Sequence, residues 1–170
     1  MGLLIISGGQ SGADLAGWKA AKRLGIPTTG WMPKGYLTEY GPRPEYAELY
    51  GAKEHSSPKY PPRTRANIRD SDVTLIFDCS KGDNLDDMSA GTRLAVKVAM
   101  ELSVQALVVR VDLASKPEPK RPKAFREWCE GRGWKVYNIA GNRESKSPGI
   151  GAWVEDYLVQ VFQLLLERQT

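Results

Sequence analysis

A mostly parallel β-sheet covered by helices on both faces is the fold class this sequence predicts, and three observations carry the prediction. Short runs of Val, Ile and Leu with little polar alternation recur along the chain, as expected of strands buried on both faces. Amphipathic stretches with helical spacing separate them, which is the pattern of an α/β fold. The connections are also unequal: loops rich in glycine, hydroxyls and charge follow the strands, whereas the segments leading from helix back to strand are short and plain.

In chain order, "LLIIS" (3–7) reads as the first strand, and the bend "GGQSGAD" leads into a helix over about 12–24. Gly25 supplies a left-handed residue to end that helix, and Pro27 blocks its continuation. "PTTGW" (27–31) is a weaker strand followed by "MPKGY". The connection from Met32 to Tyr60 is rich in Pro, Gly and Tyr without clear periodicity, a length that usually marks a functional or mobile segment. Pro61 and Pro62 suit the first turn of a helix over 61–70, where a missing N–H costs nothing. "VTLIF" (73–77) is the third strand; "CSKGDNLDDMSAGT" then leads to a helix over 91–102, "ALVVRV" (106–111) is the fourth strand, and a helix over 121–132 ends at Gly131 and Gly133. "KVYNIA" (135–140) is the fifth strand, and "GNRESKSPG" leads to a last helix over about 149–167. That helix carries Ile150, Trp153, Val154, Tyr157, Leu158, Val161, Phe162 and Leu165 along one face, the spacing of a core-packing stripe. Leu164 and Leu166 widen the stripe enough to offer a subunit contact as well.

With 170 residues, the chain is expected to form one domain spanning 1–170 with a sheet of about five or more strands. A hydrophobic share of 41% and a charged share of 26% are those of a soluble globular protein. The net charge of +4 suits an anionic small molecule, and nucleic acid is not expected as a partner because that needs a concentrated basic stripe. The basic segment 115–123 is interrupted by prolines and reads as solvated surface. Cys79 and Cys129 form no CxxC pair, which fits a reducing, cytoplasmic compartment. His55 is the only histidine, so no histidine-based metal cluster is available within one chain. "GLLIIS" is too short for a signal peptide or a membrane span, so no membrane association is expected.

In an open parallel sheet, ligands bind beyond the carboxyl ends of the strands, where this sequence concentrates its unusual loops. Gly8, Gly9 and Gly12 permit positive φ and close backbone approach. Helix-start N–H groups there form an anion site, to which Gln10 and Ser11 add directional donors and Asp14 a cap. The plainer alternative is a glycine-rich turn with an Asp cap that binds nothing. The spacing is neither GxGxxG nor GxxxxGK[ST], so dinucleotide and P-loop assignments fail. Gly91 and Thr92 in "SAGT" start a second helix suited to an oxyanion, or else simply to a hydroxyl N-cap. Arg63, Thr64 and Asn67 lie on or before the third helix, where Arg63 could grip a phosphate with a bidentate fork or belong to a solvated basic face. Asn138, Gly141, Asn142, Arg143, Glu144 and Ser145 cluster at the end of the fifth strand, with Arg143 and Glu144 equally readable as a loop ion pair. Lys34 and Gly35 add a cation and a turn after the second strand, and Trp31 and Tyr36 could stack on a flat heterocycle or pack in the core.

"IISGGQSGADLAGWKAA", "GIPTTGWMPKG", "RTRANIRDSDVTLIF", "GTRLA" and "NIAGNRESKSPGI", in that order over nearly the whole chain, resemble the molybdenum cofactor carrier protein family. That family is similar to a circularly permuted branch of the lysine decarboxylase-like, cytokinin-activating phosphoribohydrolase superfamily. The resemblance implies a Rossmann-like three-layer sandwich and a homo-oligomer, a dimer or tetramer. It also implies binding of the phosphorylated pterin molybdenum cofactor (molybdopterin), of molybdate or of a related anion such as a nucleotide. Here Ser11, Leu15, Met32, Ala90 and Asn142 stand where many members carry Thr, Arg, Cys, Gly and Pro. The hydrolase relatives carry a catalytic glutamate in a PGGxGTxxE motif, and its position is Ala95 here, which argues against that chemistry. Two other functions stay open on the residues: a nucleoside monophosphate N-glycosidic hydrolase using Asp14 or Glu144 as acid or base, and a sensor of a nucleotide-derived signal.

Overall fold

The structure is a computed structural model describing residues 2–120 and 122–167. Its frame is a six-stranded sheet in the order β5-β2-β1-β8-β6-β7, built from β1 (Leu4–Ser7), β2 (Thr28–Met32), β5 (Ala52–Glu54), β6 (Val73–Asp78), β7 (Gln105–Arg110) and β8 (Val136–Gly141). Every pairing in it is parallel. The fold is therefore the expected α/β Rossmann-like three-layer sandwich. The last strand in sequence, β8, sits between β1 and β6, so the chain's final loop lands beside its first.

Side-chain alternation along β6 and β8 divides the core. Val73, Leu75 and Phe77, with Tyr137 and Ile139, join the cluster that includes α1 (Ala13–Arg23), α5 (Pro122–Arg132) and α6 (Ile150–Leu166). Ile76 and Ala140 join the cluster of α3 (Tyr60–Arg69) and α4 (Ala90–Glu101) on the other face. α6 buries Ile150, Val154, Leu158, Val161, Phe162 and Leu165, each contributing about 1.5–3 kcal/mol relative to exposure. The whole predicted stripe packs into the core, with Trp153, Tyr157 and Leu166 partly buried against it. α1 approaches closely enough that a Cβ on Gly17 would lie 2.7 Å from Ile139.

The predicted boundaries hold to within a few residues, because their stops have local causes. Gly25 follows α1 with φ 69°, Pro61 and Pro62 occupy the first turn of α3, and the Ser89 hydroxyl accepts the Thr92 N–H at the start of α4. Residue 121, predicted to begin α5, lies outside the described residues. The 32–60 connection contains more structure than its sequence suggests. It holds a two-stranded hairpin, β3 (Leu37–Thr38) and β4 (Gly41–Pro42), then α2 (Tyr46–Tyr50) and the edge strand β5. Tyr46 and Tyr50 meet the fully buried Trp18, which stacks on Tyr50 at 4.9 Å, so this segment closes a small core over one end of the sheet. Among the described residues no helix is long and apolar enough to cross a membrane. Cys79 is half-buried and Cys129 lies fully buried in the core.

Candidate functional site

Each polar loop singled out in the sequence follows a strand and lies at the carboxyl rim of the sheet. The loop after β1 explains its glycines by what occupies their empty side-chain positions. A Cβ on Gly8 would lie 1.5 Å from Arg63 Nη1, so the guanidinium rests against the main chain there. On Gly9 it would meet Met32 and Trp18, and on Gly12 it would lie 2.5 Å from the Asn142 carbonyl oxygen. Gly9 and Gly12 adopt φ of 70° and 81°, open mainly to glycine. Two of the three close approaches are therefore made by the protein's own hydrophobic core and its 142–144 loop, and the third by a cation.

That cation is half of a buried pair. Arg63 Nη1 lies 3.3 Å from Asp14 Oδ2, with side chains 12% and 6% exposed. The same carboxylate oxygen accepts the Gln10 N–H. Burial pushes the Asp14 carboxyl upward against the pull of Arg63, and burial likewise pushes Arg63 downward against the pull of Asp14. Arg63 Nε and Gln10 Oε1 are buried without hydrogen-bond partners, while Gln10 Nε2 donates to the Leu37 carbonyl at 2.9 Å. Arg143, on the loop after β8, places its guanidinium 4.4 Å from the centre of the Tyr60 ring, with Arg63 5.5 Å from the same ring. Among the described residues Arg143 makes no ion pair or hydrogen bond through its side chain. Arg143 thus lies in the fields of two carboxylates, Asp14 and Glu39, without a hydrogen bond to either.

Three cavities open around this rim. An inner one of about 120 Å³ lies on the α3/α4 side and is lined by Gly8, Gln10, Asp14, Tyr60, Arg63, Thr64, Asn67, Gly91, Asn138, Gly141 and Arg143. A more open one of about 810 Å³ shares Gly91, Gly141 and Arg143 with it and adds Asp78, Cys79, Ser80, Asn142, Lys146 and Ser147. A third, of about 450 Å³, lies toward α1 and α6 and is lined by Gly9, Ser11, Gly12, Lys19, Tyr40, Arg43 and Glu144, among others. The structure therefore divides the candidate residues between the two sides of the glycine loop. Lys34 and Gly35 line none of these cavities. Their main-chain N–H groups donate to the Ser57 carbonyl and to Glu54, which fixes the turn after β2.

Several candidates are consumed by structural bonds. Glu144 accepts the N–H groups of Gly149 and Gly151 at 2.7 and 2.9 Å, capping α6 instead of pairing with Arg143. Asn67 accepts the Trp31 N–H and donates to the Trp31 carbonyl, stapling α3 to β2. Trp31 itself is half-buried, with Lys53 4.4 Å above its ring and its indole N–H on Asp70. Asn138 donates to Thr74 beneath the inner cavity. Thr92 is buried, and its hydroxyl donates to Asp78.

Asp78 is a centre that the sequence reading missed. Wholly buried at the end of β6, it accepts hydrogen bonds from Ser80, Ser89, Thr92 and the Asn142 amide, with Arg110 3.9 Å away. Burial disfavours its charge, but the hydrogen bonds from Ser80, Thr92 and Ser89 together outweigh that and hold its carboxyl well below the usual carboxylate range. The network fixes the start of α4, whose Ala90 and Gly91 N–H groups have no partner among the described residues and point their dipole toward the two joined cavities. Glu39, on the hairpin, was missed as well; it accepts the hydroxyls of Ser11 and Ser145 and the Ser145 N–H. Only the polar run after the third strand hinted at Asp78, and nothing in the sequence ties position 39 to position 145.

The fold and this rim define a class: an α/β protein whose candidate site lies beyond the strand carboxyl ends and is furnished with guanidinium and N–H donors. The model of the circularly permutated YpsA SLOG family matches residues 5–162, and the chain belongs to that family. A crystal structure of a protein from Syntrophus aciditrophicus SB, described as a candidate molybdenum carrier protein, shares 31% sequence identity with this chain over 94% of each chain, with a TM-score of 0.78. No curated protein matches significantly. Family and structural neighbour agree with the resemblance read from the sequence.

Proposed function

We propose that the protein binds and carries a phosphorylated anionic small molecule, with the pterin molybdenum cofactor as the guest its chemistry fits best and molybdate as the inorganic fragment of it. The observation that carries this reading is the unpaired Arg143 guanidinium at the junction of the inner and open cavities, beside the free N–H groups that start α4. Guanidinium and N–H donors suit phosphate and oxometalate oxygens. Among the described residues no group of three His, Cys, Asp or Glu side chains could hold a metal ion. The donors present would therefore grip the anionic groups of a cofactor and not its metal directly. The description of the structural neighbour as a molybdenum carrier supports a molybdenum-bearing guest.

The carboxylates offered for an N-glycosidic hydrolase are both engaged, Asp14 by Arg63 and the Gln10 N–H, and Glu144 by the first turn of α6. Their engagement favours holding a guest over proton transfer to it. Native mass spectrometry of gently purified protein, with elemental analysis for molybdenum, tests the reading. A bound mass of a phosphorylated pterin, lost in Arg143→Ala, is the expected result. Steady release of free base from nucleoside monophosphates, abolished by Asp14→Asn, would replace the carrier reading with the hydrolase.

A further inference from the structure

The hairpin β3–β4 forms a two-stranded sheet of its own and pairs with no strand of the main sheet. Its own bonds keep it folded: Thr38 Oγ1 donates to the Gly41 carbonyl, and the Arg43 N–H donates to the Tyr36 carbonyl at 2.8 Å. It joins the chain through Gly35 and Tyr36, both at positive φ. Tyr40 at its tip is 57% exposed. Polar attachment to the glycine loop and the 142–145 loop is made through Gln10, which donates to the Leu37 carbonyl, and through the Glu39 carboxylate.

The attachment through Glu39 has the form of a bound ligand. One carboxylate oxygen takes the Ser11 hydroxyl and the Ser145 N–H, the other takes the Ser145 hydroxyl, and Arg143 adds its field. Three donors converging on two oxygens beside a guanidinium make an oxyanion site. The occupant here comes from the protein itself, on a hairpin whose strands pair only with each other and whose base packs through Tyr36 on the Trp18, Met32 and Ala52 cluster.

Resting on the carrier reading, we infer that Ser11 and Ser145 form an oxyanion subsite for the guest, and that Glu39 is its built-in competitor, so that an anionic group of the guest displaces Glu39 and lifts the hairpin away from the glycine loop. Lifting it would also release Gln10, whose buried and unpartnered Oε1 would become available to a donor on the guest.

The test uses guanosine 5′-monophosphate as probe, because it joins a phosphate to a bicyclic ring carrying the same fused 2-aminopyrimidinone edge as a pterin, with inorganic phosphate as the fragment control. Calorimetric titration and amide hydrogen exchange over residues 37–43 are compared in wild type, Glu39→Ala, Ser145→Ala and Arg143→Ala. Glu39→Ala and Ser145→Ala should both speed exchange of the hairpin amides. Their affinities should move in opposite directions. Removing the competitor tightens binding about tenfold if the closed form prevails by that ratio, and removing the donor weakens it. Adding the probe to wild type should speed hairpin exchange as well. Binding that is lost in Arg143→Ala but unchanged or weakened in Glu39→Ala would overturn the competitor and leave the carrier reading standing. Hairpin exchange slowed by the probe would do the same. Absence of binding of either probe to all four proteins, wild type included, would overturn both.

Discussion

Removing the Asp14 carboxylate should expose how much the site depends on balanced charge. In Asp14→Ala the Arg63 guanidinium remains where its side chain is only 12% exposed, with the like charge of Arg143 nearby. Breaking a buried pair from one side costs about 3–5 kcal/mol, because the surviving charge has lost both its hydration and its partner. For a chain of this size each kcal/mol lowers Tm by about 2–4 °C, so a fall of about 6–20 °C is expected. Asp14→Asn should lose nearly as much, since it keeps the shape and removes the charge. Asp14→Ala combined with Arg63→Met should recover most of the loss, because no buried ion is then left alone. Urea and thermal unfolding followed by circular dichroism measure each term. Phosphate supplies a further arm: an anion that binds beside Arg63 in the folded chain alone stabilises by about 2.7 kcal/mol at a hundredfold excess over Kd, and Asp14→Ala should gain at least as much as wild type. A loss below about 1 kcal/mol in the single variant, or a double variant less stable than the single, would refute the account of a paired cation held at the site.

Other perturbations follow from the same geometry. Gly12→Ala places a Cβ 2.5 Å from the Asn142 carbonyl oxygen at φ 81°, so a loss of about 1–3 kcal/mol in urea unfolding is expected; an unchanged midpoint would mean the 142–144 loop yields freely. Glu144→Ala leaves the Gly149 and Gly151 N–H groups without their acceptor and should cost about 1 kcal/mol by thermal unfolding; an unmoved Tm would deny it the role of cap. Asp78 is held ionised below the usual carboxylate range, so the stability it contributes is present above the unfolded value of about 4 and is lost as pH falls from there toward the lower folded value. Wild-type unfolding free energy should therefore decline below about pH 4 more steeply than that of Asp78→Asn, and parallel acid profiles for the two would show the carboxylate is not the group responsible.

The layers of the fold were legible because their signals are local. Unbroken apolar runs name β1 and β6, and the α6 stripe names its buried face. Gly25, Pro61 and Ser89 mark helix ends through φ, a missing N–H and a hydroxyl. The rim was legible as a place, since polar loops follow strands. Its partnerships were not. Whether Asn142 serves the candidate site or staples the end of β6 to the loop after β8 depends on its 2.7 Å contact with the Cys79 N–H, 63 residues distant in sequence. Glu144 beside Arg143 invites an ion pair, yet the α6 N–H groups five and seven residues ahead hold it instead. The hairpin β3–β4 and strand β5 are too short to carry a period, and they take their shape from Trp18, Gln10 and Ser11 far upstream.

The glycines after β1 show how such partnerships shape function. A bend with three glycines reads as a cradle for an outside anion, but Gly9 and Gly12 are spent on Trp18, Met32 and the 142–144 loop. That internal use is what brings β8's loop against β1's, and so sets Arg143 over Tyr60 within the field of Asp14 and Arg63. Gly8 leaves its surface to the Arg63–Asp14 pair, with the guanidinium the nearer partner. The glycine loop therefore acts chiefly as a mould for the arginines, and it is they, with the start of α4, that present positive charge to the cavities at the rim. Anion binding should accordingly be more sensitive to Arg143→Ala than to a small substitution at Gly91, where nothing lies within 4 Å of an added Cβ. A calorimetric comparison of those two variants would expose the reverse order if backbone contact, and not guanidinium charge, dominated recognition.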